Sequence, residues 1–330
     1  MAINESAIRV GSEVVRYGAK HVCVLVPTKD RPEYVHRLLD SLVKQSEQVS
    51  RIIIVASGAD IQSIIDEFRN SLPIDYFHTQ LTGQIRQRNI GICKLDNRTP
   101  LVACIDDDIV LSPTAIAHIV SFWNDAPVDT AGVGFTISNG PAPNVSYLRE
   151  FLGIDHRQPG RVLQTGMSSS ITHLLHDIRS QWLNGGTTVW KRDILVTHPH
   201  PEIDCRWAIA EDLIFSYPIG KNFPLYVCAR ATVEHLELKL HKKPNHWHFC
   251  HGQTQTIWLY YFVTSNSDLS PALFLLTLAT RGVPKFLLGI CTMNSAQFWN
   301  ALGMARAFVS ILWRILGLSA QDDIRLLTKQ

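Results

Sequence analysis

Alternating strand and helix patterns near the start of the 330-residue chain limit its fold more than any other feature. Short apolar runs alternate with segments in which leucine, isoleucine and valine recur at helical spacing. The predicted strands are residues 21–26, 51–55, 74–77 and 101–105, and the predicted helices are residues 32–45, 61–68 and 84–93. This order favours an α/β fold with a parallel, doubly wound sheet, whose ligands bind at the carboxyl ends of the strands.

Shorter strand patterns follow and predict that the same domain continues. They cover residues 131–137, 187–190 and 225–229 and are separated by turn-rich segments. Beyond them, residues 253–330 are rich in leucine, phenylalanine, tryptophan and alanine, which predicts a helical extension. We prefer packing of this extension on the domain, with an interfacial position on a membrane surface as the next interpretation and a membrane span as the least favoured.

Composition excludes several classes of protein. With 46% hydrophobic and 18% charged residues, the chain is typical of a folded protein rather than a disordered one. A net charge of +2 predicts no nucleic-acid partner, although the segment from residue 271 onward carries a net charge of +4. Seven scattered cysteines without a CxxC motif, and an N-terminus without a signal-peptide pattern, predict a cytoplasmic protein, either free or peripheral at the inner face of the membrane.

Three consecutive aspartates follow the fourth predicted strand and are the strongest candidate for a ligand site. In an extended chain Asp106 and Asp108 would point to one side and Asp107 to the other. Two convergent carboxylates at the carboxyl end of a parallel strand suit a divalent cation that bridges a diphosphate. After the aspartates, Ser112 and Pro113 are predicted to be the N-cap and the first residue of the next helix. Alternatively, the acids only solvate a turn and favour a helix start.

The turn after the first predicted strand carries no glycine. Residues 27–32 read PTKDRP, so both the GxGxxG fingerprint of dinucleotide-binding folds and the GxxxxGK[ST] phosphate loop are absent from it. A nucleotide would therefore have to bind at this turn by some other arrangement.

Six segments, in their order and spacing, resemble the inverting family 2 glycosyltransferases, which have the GT-A fold. They are VPTKDRP (26–32), IIIV (52–55), QIRQRNIG (84–91), IDDD (105–108), LNGG (183–186) and ED (211–212). The resemblance covers residues 22–235, about two thirds of the chain. It implies a GT-A domain over residues 1–252, with a nucleotide-binding half at about 20–125 and an acceptor-side half at about 126–252.

The three aspartates match the DxD motif of that family. The resemblance implies that Asp108 binds Mg²⁺ or Mn²⁺, that Asp106 contacts the nucleotide ribose or the metal, and that His235 is a further metal or diphosphate ligand. The other residues that it implies for the nucleotide-sugar site are Pro27, Thr28, Asp30, Arg31, Arg86, Arg88, Asn89 and Asp107. Where many members carry an acidic pair that reads the nucleobase, this chain has Ser57, which leaves UDP- and dTDP-linked donors open.

Glu211 and Asp212 match the ED motif, and the resemblance implies that Asp212 is the catalytic base. Taken alone, the pair is also typical of a helix start, where acids favour the helix dipole. Glu211 would orient acceptor hydroxyls or the helix. Contacts to the acceptor and the transferred sugar are expected from a glycine turn and two flat indoles, namely Asn184, Gly185, Gly186, Trp182 and Trp207.

These roles predict a particular chemistry. A nucleoside diphosphate leaves without being protonated by an acid, so the reaction needs a cation beside the diphosphate and a base for the acceptor hydroxyl. We therefore expect a metal-dependent inverting hexosyl- or deoxyhexosyltransferase of polysaccharide biosynthesis, acting on a glycan or a lipid-linked glycan. The alternatives are a GT-A-like nucleotidyltransferase and a non-catalytic, glycosyltransferase-like scaffold.

Overall fold

The computed structural model describes residues 16–143, 145–202, 209–236 and 243–318. The strands in this part of the chain are β1 (Val22–Lys29), β2 (Arg51–Ser57), β3 (Ile74–Thr79), β4 (Leu101–Ile105), β5 (Ile109–Leu111), β6 (Gly132–Ile137), β7 (Ile178–Ser180), β8 (Thr187–Lys191) and β9 (Leu225–His235). The helices are α1 (Pro32–Val43), α2 (Gln62–Phe68), α3 (Gln84–Ile92), α4 (Ala115–Asp125), α5 (Tyr147–Phe151), α6 (Arg192–Thr197), α7 (Glu211–Asn222), α8 (Asn245–Thr264), α9 (Pro271–Cys291) and α10 (Ser295–Ile315).

The first four strands, with the three helices between them, form the parallel half of the sheet that the sequence predicts. The strands lie in the order β3-β2-β1-β4, all parallel. Successive residues of β1 face opposite cores: Val24 packs with α1, and Leu25 packs with the core that includes the C-terminal helices. Because both faces are covered, β1 is a continuous apolar run rather than an alternating one. The predicted doubly wound, mostly parallel architecture is confirmed in this half.

The second half completes the sheet with mixed pairing. Its order continues from β4 through β8, β6 and β9 to β5, and β7 also pairs with β9. Strand β8 is antiparallel to both of its neighbours, whereas β6 and β9 are parallel. Strand β9 is longer than the predicted 225–229, and its last residues pair with β5, a strand that the sequence pattern did not predict.

The prediction that Ser112 and Pro113 begin a helix is wrong. Helix α4 begins at Ala115, and Thr114 precedes it as the N-cap residue. Ser112 instead continues the pairing of β5 with β9, since its backbone N–H donates to Thr232 O at 3.1 Å. The tertiary pairing of a three-residue strand therefore outweighs the local helix-start signal.

The C-terminal helices share a core with one face of the sheet. Ile257 and Phe262 of α8 are fully buried in the same cluster as Trp190 of β8. Helices α8 and α10 pack closely because each has a glycine at the contact: a Cβ at Gly252 would lie 2.2 Å from Asn300 O, and one at Gly303 would lie 2.0 Å from Phe249 O. The predicted domain boundary at 252/253 falls inside α8.

Candidate active site

Asp106, Asp107 and Asp108 lie in the tight turn between β4 and β5. The N–H of Ile109 donates to Asp106 O at 3.2 Å, so the three residues do not form an extended segment. Asp107 and Asp108 consequently share Arg31, whose Nη1 lies 3.2 Å from Asp107 Oδ1 and 3.1 Å from Asp108 Oδ2. The expectation that Asp106 and Asp108 point together and Asp107 points away is wrong, because it assumed a strand geometry that ends at Ile105.

The first loop connects these acids to the ends of β1 and β2. Thr28 Oγ1 donates to Asp107 Oδ2 at 2.6 Å. Asp30, at φ 54°, accepts a hydrogen bond from the N–H of Ala59 at 2.7 Å, and a Cβ at Gly58 would lie 2.1 Å from its Oδ1. Only glycine therefore fits after Ser57, where φ is also +77°.

Ser57 and Pro27 are buried at the carboxyl ends of β2 and β1. The hydroxyl oxygen of Ser57 is fully buried and has no hydrogen-bond partner among the residues that the structure describes. A buried polar atom without a partner is costly, and ligand sites are one place where it is tolerated. Ser57 is thus a candidate contact for a ligand at this edge of the sheet.

Arg88 of α3 connects the acidic turn to the start of α7. Its side chain is 0% exposed, and its Nη2 lies 3.1 Å from Asp106 Oδ1. Its Nη1 donates to both carboxylate oxygens of Glu211 at 3.1 Å. Burial would lower the pKa of Arg88, but Glu211 and Asp106 outweigh burial and keep the guanidinium charged. Gln84 of the same helix donates to Asp106 Oδ1 at 2.7 Å.

Glu211 and Asp212 are the first two residues of α7, after Ala210 in the left-handed region at φ 62°. Glu211 is buried, and burial raises its pKa although Arg88 opposes the shift. Asp212 is half-buried and accepts a hydrogen bond from the N–H of Leu213 at 2.9 Å. Burial, and then the charge of Glu211, raise the pKa of Asp212 to about 7. A carboxylate with such a pKa can exchange a proton near neutral pH.

His235 reaches the acidic turn through the pairing of β5 with β9, in which it is opposite Ile109. Its Nε2 lies 3.3 Å from Asp108 Oδ1, in ion-pair range. Burial would raise the pKa of Asp108, but His235 and Arg31 hold it below its usual value.

The described residues contain no group of three or more His, Cys, Asp or Glu side chains arranged to hold a metal ion. Asp108 and His235 nevertheless form a pair of a carboxylate oxygen and an imidazole nitrogen. The buried Oδ1 of Asp108 lacks a regular hydrogen bond, so a lone pair is left for a ligand. This pair fits a divalent cation such as Mn²⁺ or Mg²⁺ that takes its other ligands from a diphosphate and water.

Gly185 and Gly186 lack a Cβ, which leaves space for the carboxylates of Glu211 and Asp106. A Cβ at Gly186 would lie 2.0 Å from Asp106 Oδ2, and a Cβ at Gly185 would lie 2.3 Å from Glu211 Oε1. The carbonyl of Gly186 also accepts a hydrogen bond from the N–H of Asp106 at 3.0 Å. The close approach that these glycines allow is thus to Asp106 and Glu211, and half-buried Asn184 precedes them.

Residues 23–180 match the sequence model of the family described as Glycosyl transferase family 2. This part of the chain is a family 2 glycosyltransferase domain. No curated protein matches the chain in sequence. The match covers the first loop, α3 and the turn that contains Asp106, Asp107 and Asp108, and it ends before Glu211 and Asp212.

Solved structures of two glycosyltransferases share the fold. The crystal structure of residues 1–349 of TarS from S. aureus has 15% sequence identity and a TM-score of 0.52, over 92% of this chain and 93% of that one. The mannosyltransferase PcManGT from Pyrobaculum calidifontis, in complex with GDP-Man and Mn²⁺, has 14% identity and a TM-score of 0.51, over 94% of this chain and 83% of that one. At this level of identity the likeness establishes the fold, which is GT-A.

Several residues predicted for the site have contacts within the protein. Trp182 is 8% exposed, and its indole donates to Ser169 O at 3.3 Å within the core, so its ring is not presented to a sugar in this conformation. Asn89 Nδ2 donates to His200 O at 2.9 Å, and Arg86 lies 3.8 Å from Glu202. Predicted residue Trp207 lies outside the described residues.

His200 is a residue near the site that the sequence patterns did not indicate. It is 3% exposed, its ring stacks on Phe215 at 3.6 Å, and its Nδ1 lies 4.0 Å from Glu211 Oε2. Burial, together with the charge of Arg88, lowers its pKa well below the usual value, so the imidazole is neutral. Its only sequence signal is its position between Pro199 and Pro201, which indicates a rigid loop and not a site.

Proposed function

We propose that this protein is a metal-dependent, inverting glycosyltransferase that transfers one hexosyl or deoxyhexosyl unit from a nucleotide-sugar donor to a hydroxyl of a glycan or lipid-linked glycan. The observation that carries the proposal is the position of Arg88, which contacts both Asp106 of the DxD turn and Glu211 of the ED pair. One buried cation thus holds Asp106, a proposed donor contact, to Glu211, which directly precedes the proposed base Asp212, at the carboxyl end of the parallel strands where ligands of such sheets bind.

The donor is proposed to be UDP- or dTDP-linked. Among glycosyltransferases of the same fold, TarS has been solved in complex with UDP, with 15% identity and a TM-score of 0.50, and PcManGT in complex with GDP-Man. In this chain Ser57 has a buried hydroxyl without a partner among the described residues, at the place proposed for the nucleobase of the donor. A hydroxyl can donate to, or accept from, the polar edge of a pyrimidine.

Asp108 and His235 are proposed to hold Mg²⁺ or Mn²⁺, with Asp106 close to the ribose or the metal. A cation held there would neutralise charge on the departing diphosphate. The proposal is supported by PcManGT, which shares the fold and was solved in complex with GDP-Man and Mn²⁺. Arg31 Nη1 lies 3.1 Å from Asp108 Oδ2, so its guanidinium is close enough to this site to form an ion pair with the diphosphate when the donor binds. Thr28 holds Asp107 and thereby fixes the turn.

Asp212 is proposed to accept the proton of the acceptor hydroxyl. As that oxygen forms its bond to the anomeric carbon, the bond from this carbon to the diphosphate breaks, and its electron pair leaves with the nucleoside diphosphate. Attack from the face opposite the leaving group inverts the configuration. A pKa of about 7 suits this step, because about half of the carboxyl groups are ionised at neutral pH and the ionised form is basic enough to take the proton.

A donor screen tests the proposal. Purified protein is incubated with UDP-, dTDP- and GDP-sugars, with and without Mn²⁺, and both thermal stability and release of nucleoside diphosphate are measured. At least one donor should raise the melting temperature in the presence of Mn²⁺ and release the diphosphate, because a ligand stabilises the state that binds it. Release of pyrophosphate instead would identify a nucleotidyltransferase. Lack of Mn²⁺-linked binding to any donor would leave the scaffold interpretation.

A further inference from the structure

The outer face of α9 is a continuous apolar surface. Its exposed large side chains are Leu273, Leu276, Val283, Leu287, Leu288 and Ile290, and those from Leu276 onward are each more than half exposed. They recur at helical spacing on one side, over a helix of 21 residues. Exposed apolar patches of this extent on a folded protein mark interaction surfaces.

The inner face of α9 is fixed to the rest of the protein. Phe274 and Leu278 are buried in the core, and Thr277 Oγ1 donates to Leu152 O at 3.1 Å. Lys285 Nζ donates to Asn300 Oδ1 of α10 at 2.6 Å. By length and composition α9 could cross a membrane, and only 22% of its most apolar stretch is buried inside the protein, which is unlike a core helix. To span a bilayer it would have to abandon the contacts of its inner face, whereas lying flat on one preserves them.

Helix α5, which is anchored to α9, also exposes large apolar side chains. Tyr147, Leu148 and Phe151 are 78%, 66% and 87% exposed. The carbonyl of Leu152, the next residue, is the acceptor for Thr277, so α5 is anchored beside α9. Both elements therefore present large apolar side chains to the surroundings.

Charge supports a lipid surface as the occupant. The described residues from Pro271 to Leu318 include no acidic side chain. Of their four basic side chains, Arg281 and Lys285 contact Met167 and Asn300 on the inner side, whereas Arg306 is exposed and Arg314 is half-buried. Apolar side chains accompanied by basic and no acidic residues on α9 and α10 are the combination that binds membranes with anionic headgroups. Exposed Trp313 of α10 adds an aromatic ring of the kind that favours the headgroup region.

We propose that the outer face of α9, together with α5, lies in the plane of an anionic bilayer surface. The helix inserts its leucine and isoleucine side chains to headgroup depth and does not span. Helix α5 belongs to the acceptor-side half of the chain, so this orientation brings that half to the membrane. The proposal concerns binding alone and stands or falls independently of the transfer reaction.

The test is co-sedimentation of the full chain with vesicles. Wild-type protein should bind vesicles that contain phosphatidylglycerol, should bind pure phosphatidylcholine vesicles more weakly, and should be released as salt is raised. The double variant Leu276→Glu/Leu287→Glu should lose at least about tenfold in partitioning, because two charged side chains replace apolar ones in the buried face. The matched control is Val128→Glu, at a 92% exposed apolar residue that belongs to neither α5 nor α9, and this variant should bind like wild type.

Circular dichroism and thermal unfolding establish that each variant is folded, which is expected because all three positions are more than half exposed. The proposal is overturned if wild-type protein stays in the supernatant with anionic vesicles. Equal binding by the double variant overturns it as well. A dimer in vesicle-free solution that Leu276→Glu/Leu287→Glu dissociates would make this face an interface between two copies, and the bilayer proposal would then be wrong.

Discussion

Both carboxylate oxygens of Glu211 lie 3.1 Å from Nη1 of Arg88, and neither residue has appreciable contact with solvent. Because Nη2 of the same guanidinium lies 3.1 Å from Asp106, two acids that are 105 positions apart in the sequence depend on one cation. This contact holds the start of α7 against the turn that follows β4. The geometry of the whole candidate site therefore depends on a residue that we do not propose to react.

Removal of this cation should destabilise the fold. Arg88→Met would leave Glu211 and Asp106 without their buried partner, and breaking a buried pair in this way costs about 3–5 kcal/mol. The free energy of unfolding, measured in urea, should fall by that amount, and by less at pH 5 than at pH 8 because protonation relieves the unpaired acids. Arg69→Met is the control, since Arg69 pairs with Asp66 at the surface and should cost under about 1 kcal/mol. A fully stable Arg88→Met would contradict the structural role.

Gly186→Ala should damage the site more than the fold. The added Cβ would lie 2.0 Å from Asp106 Oδ2, so either Asp106 or the turn must move, at a cost of roughly 1–3 kcal/mol. Transfer activity, and donor affinity measured by calorimetry, should both fall sharply while the chain remains folded. The control is Gly18→Ala, where the nearest atom to a new Cβ would be Lys20 Cγ at 3.9 Å. Unchanged donor binding in Gly186→Ala would show that Asp106 is not constrained as described.

The pH dependence of transfer should report the ionisation of Asp212. Burial, followed by the charge of Glu211, raises its pKa to about 7, and a base works only when deprotonated. At saturating Mn²⁺, kcat/KM should rise with pH and level off above a midpoint of about 7. Glu211→Gln should move this midpoint to lower pH, because a negative charge beside Asp212 is removed. A flat profile between pH 5.5 and 8, or a shift to higher pH in Glu211→Gln, would count against Asp212.

Metal-linked nucleotide binding should depend on Asp108 and His235. In calorimetric titrations with UDP or dTDP, Asp108→Asn and His235→Gln should each weaken the Mn²⁺-dependent component of binding by at least about tenfold, as loss of a ligand or of its support does in metal sites. Asp125→Asn, at an exposed aspartate near the end of α4, is the control and should bind like wild type. If both variants keep full Mn²⁺ dependence, the metal lies elsewhere.

The sequence predicted the parallel half of the fold closely because local signals determined it. Strand β4 was predicted at its observed bounds, and α3 to within one residue, since apolar runs and helical spacing are properties of short segments. Strand β5 was missed because its three residues carry no pattern of their own. It exists because it pairs with β9, over 120 positions away in the chain.

The same distinction applies to the arrangement of the candidate site residues. The segments containing Asp106 and Glu211 could be found from their motifs, and the structure brings them together. What could not be found was how they meet, because the burial of Arg88 and the stacking of His200 on Phe215 are tertiary properties. The orientation of the three aspartates was mispredicted for a local reason, since β4 ends at Ile105 and a turn replaces the assumed strand.

The most direct test of the proposed function compares Asp212→Asn with Asp125→Asn in sugar transfer at saturating donor and Mn²⁺. The proposal predicts that Asp212→Asn lowers turnover by about 10²-fold or more, while its donor Kd stays near that of wild type, because an amide cannot accept the proton but leaves the donor residues intact. Asp125→Asn should transfer normally. Full turnover by Asp212→Asn would contradict the assignment of Asp212 as the base and, with it, the mechanism proposed for this site.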